Sequence, residues 1–205
     1  MMHVLDINGR VRLLCVSLLL LARVSCGAQD FAVGVNAADL LNFGTLNVSA
    51  GYALSRHWSV EAEVRLNPWQ FGRVDGSAPF RQIVEDVRST VFSRRESFTA
   101  NFRWWPWYFQ SEGWLSIGAT VCSYDRGGWI FGPQRHKGLS FGGVLGVGWM
   151  FMLSKNLGLD VGVRGWAGIR NGRVYKDLYF MNEFEQERGF AAGLDEVVLS
   201  FVYCF

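Results

Sequence analysis

The segment Val197-Val198-Leu199-Ser200-Phe201-Val202-Tyr203-Cys204-Phe205 sets a bulky side chain at every second position: Val197, Leu199, Phe201, Tyr203 and Phe205. A period of two is strand geometry, because successive side chains leave a strand on opposite faces. The same alternation recurs upstream and predicts strands over residues 30–39, 44–54, 57–68, 96–108, 114–125, 138–153, 156–168 and 194–205. In the third, Trp58, Val60, Ala62, Val64 and Leu66 oppose Ser59, Glu61, Glu63, Arg65 and Asn67. In the seventh, Leu157, Leu159, Val161 and Val163 oppose Asn156, Gly158, Asp160, Gly162 and Arg164. Three connections are short (Ser55-Arg56, Gln110 to Gly113, Ser154-Lys155). They alternate with longer polar ones near 69–95, 126–137 and 169–193; the first, around Leu40 to Phe43, is brief. Short turns at one end and long loops at the other are the layout of an outer-membrane barrel. The expected fold is all-β: an eight-stranded antiparallel up-and-down transmembrane β-barrel, closed so that no edge is unpaired in lipid.

Residues 1–28 read as a cleaved signal peptide ahead of that barrel, which then occupies 29–205. Arg10 and Arg12 precede the apolar stretch Leu13 to Ala22, and small residues close the segment at Gly27-Ala28. This is the layout of a secretory leader, and ten apolar residues are too few for a helical span. Cys26 raises the rival of cleavage before a lipid-modified cysteine, but Arg23 stands where that signal wants an aliphatic residue. The expected address is the bacterial outer membrane.

Three of the 20 basic and one of the 18 acidic residues lie in that leader, so the remainder carries equal numbers of each. Such a balance excludes a nucleic-acid partner, which needs a basic excess. Only Cys122 and Cys204 follow the leader, too few for a disulfide framework or a metal cluster, so no metal or cofactor is expected. Cys204, on the opposite face from Tyr203 and Phe205, reads as a small filler. Beyond the leader the apolar run Gly142 to Leu153, twelve residues of which four are glycine, is again short of a helical span. The nine tryptophans instead suit two headgroup belts. Trp58, Trp104, Trp107, Tyr108, Trp114, Trp149, Phe151, Tyr203 and Phe205 are expected at the periplasmic end. Trp69, Phe71, Tyr124, Trp129 and Trp166 are expected at the other.

An eight-stranded cylinder is narrow enough for side chains to fill. Ser140, Gly142, Val144, Gly146 and Gly148 leave room for long partners, and Glu61, Glu63, Arg65, Arg103, Asp160 and Arg164 are expected there as an ion-paired structural cluster. A charge in such a place is costly unless paired. Outer loops concentrate binding residues. Arg73, Arg81, Arg88, Arg94 and Arg95 are candidates for gripping lipopolysaccharide phosphates, set against the reading of an ordinary mixed-charge loop. Ile83, Val84, Val87 and Val91 recur there at helical spacing, consistent with a short amphipathic helix or a strand extension. His57 falls at a periplasmic turn. His136 falls in a loop with Asp125, Arg126, Arg135 and Ser140 nearby in sequence. A lipid A-modifying hydrolase or acyltransferase using His136 is the enzymatic alternative to a non-enzymatic barrel; a low-conductance channel is a further one.

Asn67-Pro68-Trp69, Arg103-Trp104-Trp105, Gly127-Gly128 after Tyr124, Lys137-Gly138 and Ser154-Lys155-Asn156-Leu157 follow one another in this order. In this the chain resembles the outer-membrane family catalogued as domain of unknown function 3575, although its 69–95 loop is longer than that pattern. The resemblance implies a Gram-negative outer-membrane barrel, no enzyme and no catalytic residues. It also implies a link to fimbrial or other surface-appendage proteins as partners. Phe201, Tyr203 and Phe205 likewise resemble the signal read by the barrel-assembly machinery, which would be a transient partner.

Overall fold

The computed structural model describes residues 30–42, 44–71, 91–128, 132–176 and 184–205. The leader, Cys26, Phe43, Trp129 and residues 72–90 lie outside them, and with 72–90 the helical spacing at Ile83, Val84 and Val87. In chain order the elements are β1 (Phe31–Asn36), α1 (Ala37–Leu41), β2 (Leu46–Ala53), β3 (Trp58–Asn67) and β4 (Gln70–Phe71). There follow β5 (Val91–Trp104), β6 (Glu112–Gly128), β7 (Gly132–Met152), β8 (Leu157–Tyr175) and β9 (Phe184–Cys204). All pairing is antiparallel. β4 continues β3 past Pro68-Trp69 in unbroken register on β5, Asn67 facing Arg95 and Gln70 facing Phe92. The β1–β9 and β3–β5 pairings close the circuit, so the described residues form a ring of eight staves. Closure removes the unpaired edges that would otherwise recruit another chain.

The staves run further than hydrophobic alternation foretold. Residues 126–137 and 169–193, expected as loops, are largely the outer parts of β6, β7, β8 and β9, and β5 starts at Val91 instead of 96. Out there polar residues occupy both faces, as where Arg173 faces Gln186, and the backbone ladder continues without an apolar face to mark it. Periodicity is silent where neither face is apolar. Two expected strands are shorter. The first ends at Asn36 instead of 39, because Asn36 caps α1 by accepting from the Ala38 amide at 2.9 Å. The same side chain also accepts from the Leu199 amide at 3.0 Å and donates to the Val197 carbonyl at 2.9 Å, replacing ladder bonds where β1 leaves β9. The fourth ends at Trp104 instead of 108: Pro106 has no N–H to give a ladder. Residues 105–111 fold back instead, Gln110 taking a positive φ of 61°.

The two faces are inverted relative to an ordinary globule. Outward positions carry Val48, Leu66, Phe98, Phe102, Ile117, Phe141, Leu145, Val163 and Phe201, all well exposed. Inward positions carry Ser59, Glu63, Arg65, Asn67, Thr99, Asn101, Arg103, Thr120, Asp160 and Arg164, all buried. A small apolar core fills only the end near the chain terminus, where Trp105, Trp114, Met150, Val198, Val202 and Cys204 meet Ala32 and Phe109. Trp114 therefore corrects the belt assignment: it is 1 % exposed and faces inward. Its ring lies over Gly146, Gly148 and Gly162; a Cβ at Gly162 would stand 2.9 Å from it. Tyr124 also faces inward, over Gly138 and Gly172. Trp58, Trp104, Trp149, Phe151, Tyr203 and Phe205 do face outward near that end, Trp107 and Tyr108 are exposed in the segment that follows β5, and Trp69 is exposed at the other end.

Candidate functional site

The interior of the ring is layered along its length. Lowest is the plug formed by residues 105–111. Trp105 is buried, its indole donating to Ser59 Oγ at 2.9 Å, while the amides of Trp105 and Phe109 bond the carbonyls of His57 and Arg56 at 2.8 Å. His57 itself is exposed, with Nδ1 2.9 Å from the Trp105 carbonyl. That bond requires the proton on Nδ1, which makes His57 a latch for the plug.

Above it, Arg103 (β5) bridges two strands. Its guanidinium lies 2.7 Å from Asp160 (β8) and 2.7 Å from Glu61 (β3), and stacks 4.2 Å from the Trp114 ring. The Trp114 indole donates to the other Asp160 oxygen at 2.6 Å. Two carboxylates thus share one guanidinium and one indole.

A third layer joins Glu63 and Arg65 (β3), Arg95 (β5), Arg164 (β8), and Asp195 and Glu196 (β9). Arg65 lies 3.3 Å from Glu63, 2.7 Å from Asp195 and 3.6 Å from Glu196. Arg95 lies 2.8 Å from Asp195, and Arg164 bonds both Glu63 and Glu196. Consecutive acids reach one interior because the register shifts there. Arg164 faces Glu196 and Gly165 faces Leu194, which leaves Asp195 as the extra residue of a β-bulge. Asp39 of α1 completes the layer, its carboxylate within 4.8 Å of those of Glu63 and Glu196. Three convergent carboxylates could hold a cation, but Arg164 already bridges two of them. Four carboxylates face three guanidinia here. Burial, opposed by Arg65 and abetted by Glu63, pushes the Asp39 carboxyl up from 3.8 to about 6.

Past this layer lies a chamber of about 320 Å³, walled by β5 to β9. His136 is on β7, not in a loop, with Nδ1 3.1 Å from Glu187. Ser140, on the same strand four residues on, stands about 13 Å further along at ~3.3 Å per residue, and its hydroxyl donates to the Cys122 carbonyl at 3.4 Å. Asp125 and Arg135 pair with each other, both bonds at 2.6 Å.

The structure thus brings Glu61, Arg103 and Asp160 into one network and Glu63, Arg65 and Arg164 into the next. Sequence reasoning passed over Asp195, Glu196, Asp39 and Asn36, and set Trp114 in an outward belt instead of the interior. The signal for the bulge was available: Leu194 and Val197 both belong to the outer face yet stand an odd number of residues apart. Among the loop candidates, Arg94 and Arg95 are on β5 instead, because the ladder to β6 continues through Asp125 and Tyr124. Arg94 points outward and Arg95 inward to Asp195. Arg73, Arg81 and Arg88 lie outside the described residues. Phe201, Tyr203 and Phe205 are about half exposed on the outer face, and the Phe205 amide bonds the Phe31 carbonyl at 2.8 Å across the closing seam.

Comparison with characterised proteins and with solved structures gives no match. A family model does match, over residues 13–205, and the chain belongs to the family described as protein of unknown function (DUF3575).

Proposed function

We propose that this chain is a non-enzymatic outer-membrane β-barrel, exported by residues 1–28, with a packed lumen and an outer end that serves surface binding or assembly. One observation carries the reading: the ring is apolar outside and ionic inside. The apolar run of outward residues spans six steps on β5 (Phe98 to Trp104) and twelve on β7 (Leu139 to Phe151). At ~3.3 Å per residue and a tilt of about 40°, those runs stand roughly 15–30 Å tall, bracketing the ~25 Å band of such barrels. No charged residue points outward within them. In water such a surface far exceeds the apolar patch a monomer tolerates.

The test is cell fractionation followed by electrophoresis with and without heating. The expected product sediments with outer membranes and migrates faster unheated than heated. A monomer that stays dispersed in detergent-free buffer would sink the proposal. The proposed partners are lipopolysaccharide, the barrel-assembly machinery acting on the Phe205 end, and a surface-appendage subunit.

A second reading, a lipid A-modifying enzyme, is favoured by the His136–Glu187 pair at 3.1 Å, since a carboxylate can orient a general base. Against it, Ser140 stands too far along the strand from His136 to serve as its nucleophile. Lipid A mass spectra from cells with and without the gene separate the two. A mass shift would favour the enzyme.

A further inference from the structure

The chamber beyond the third layer is built for a ligand that nothing above assigns. Its cationic wall is Arg95, Arg126 and Arg170; its acidic wall is Glu187 and Asp195. Both acids are engaged already, Asp195 by Arg65 and Arg95 and Glu187 by His136. Arg170 differs. Its guanidinium lies over the rings of Trp166 at 5.1 Å and Tyr124 at 6.0 Å. Those contacts seat it on the chamber wall that it lines. Beside it the Tyr124 hydroxyl is buried and bonds no group among the described residues. A buried hydroxyl without an acceptor is costly, so its place on a cavity wall marks where an acceptor belongs. Gly138 and Gly172 hold it there, since a Cβ at either would stand 2.9 or 2.8 Å from that oxygen. Below, the Arg65–Asp195 layer closes the chamber, which makes it a cup and not a passage.

We infer that this cup binds a small organic anion, a phosphate monoester or carboxylate carrying a planar ring. The anion would accept from Arg170 and the Tyr124 hydroxyl while the ring packs against Trp166. A volume of about 320 Å³ admits a single-ring compound and is at the low end for ligand cavities. It is too small for a glycolipid disaccharide, so the ligand is a free solute. The inference goes beyond the proposed function and fails separately from it: the heating shift reports the ring, whereas binding reports the cup.

The test is calorimetric titration of the full chain, folded in neutral detergent, with phenyl phosphate, inorganic phosphate and benzylammonium. Saturable one-to-one binding of phenyl phosphate is expected, weaker binding of inorganic phosphate, and none of benzylammonium. Arg170→Gln should weaken phenyl phosphate about 10–100-fold, the worth of a hydrogen bond to a charged group. Tyr124→Phe, which removes one oxygen and keeps the ring packing, should weaken it about 3–10-fold with the heating shift unchanged. Absence of saturable binding by the wild type, equal binding of benzylammonium, or wild-type affinity in both variants would overturn the cup. Equal affinity for inorganic phosphate would overturn the ring's part in recognition.

Discussion

Arg164 is the residue on which the interior turns, being 2 % exposed and bonded to Glu63 and Glu196 at once. Removing one partner of a buried ion cluster strands the others, at about 3–5 kcal/mol. Arg164→Met should therefore lower the urea midpoint of the detergent-folded protein sharply. The triple variant that also carries Glu63→Gln and Glu196→Gln should recover part of the loss, since the two carboxylates stranded by the loss of Arg164 are then neutral. A triple variant as weak as the single one would show that packing matters here and charge does not. Asp39 supplies a pH signature. Its carboxyl titrates near 6 in the fold against 3.8 ordinarily, so between those values the folded state holds more proton than the unfolded one. Stability should then fall as pH rises from about 4 to 6 and level off above, because protonation is what the fold prefers. In Asp39→Asn that part of the slope should vanish, with a higher urea midpoint at pH 7. Melts at pH 4, 5, 6 and 7 read both effects.

At the scale of elements, what could be read from the sequence followed the outer face. Both faces of β3 are legible because Trp58 to Leu66 alternate against Ser59 to Asn67 without a break. The six clustered charges were readable for the same reason, as each holds the inner phase of an alternating strand. The bulge was missed because Asp195 and Glu196 are both interior, and a strict period of two assigns one of them outside. The outer reaches of β7, β8 and β9 were missed because hydrogen bonds, which leave no mark in the sequence, hold them together. The bulge yields a contrast in deletions. Deleting Asp195 takes out the extra residue alone, so Leu194 stays outward and Glu196 inward. The ring should still form, with a lowered urea midpoint from the partner lost to Arg65 and Arg95. Deleting Ser200, an ordinary ladder residue opposite Asp160, shifts one side of β9 by a single position. That would turn Tyr203 and Phe201 inward and Cys204 outward, or else their counterparts upstream. The heating shift should survive the first deletion and disappear with the second.

For the whole molecule the decisive property is that its obstacles stand in series. The 105–111 plug with Trp105, the Arg103–Glu61–Asp160 layer over Trp114, and the Arg65–Arg164 layer each cross the interior at a different height. Glycines at 146, 148 and 162 admit a tryptophan where a pore would keep open space. An ion crossing the ring would have to displace a buried aromatic and break two charge networks, each costing several kcal/mol. Because the barriers lie one behind another, opening one leaves the others shut. In planar bilayers the wild type should give no discrete current steps, and neither should Trp105→Ala, Arg103→Ala or Arg164→Ala, although all three should unfold at lower urea. Steps in the wild type would mean that the layers part in the membrane and that the chain is a channel. Steps in a single variant alone would identify that layer as the gate and reduce the other two to scaffolding.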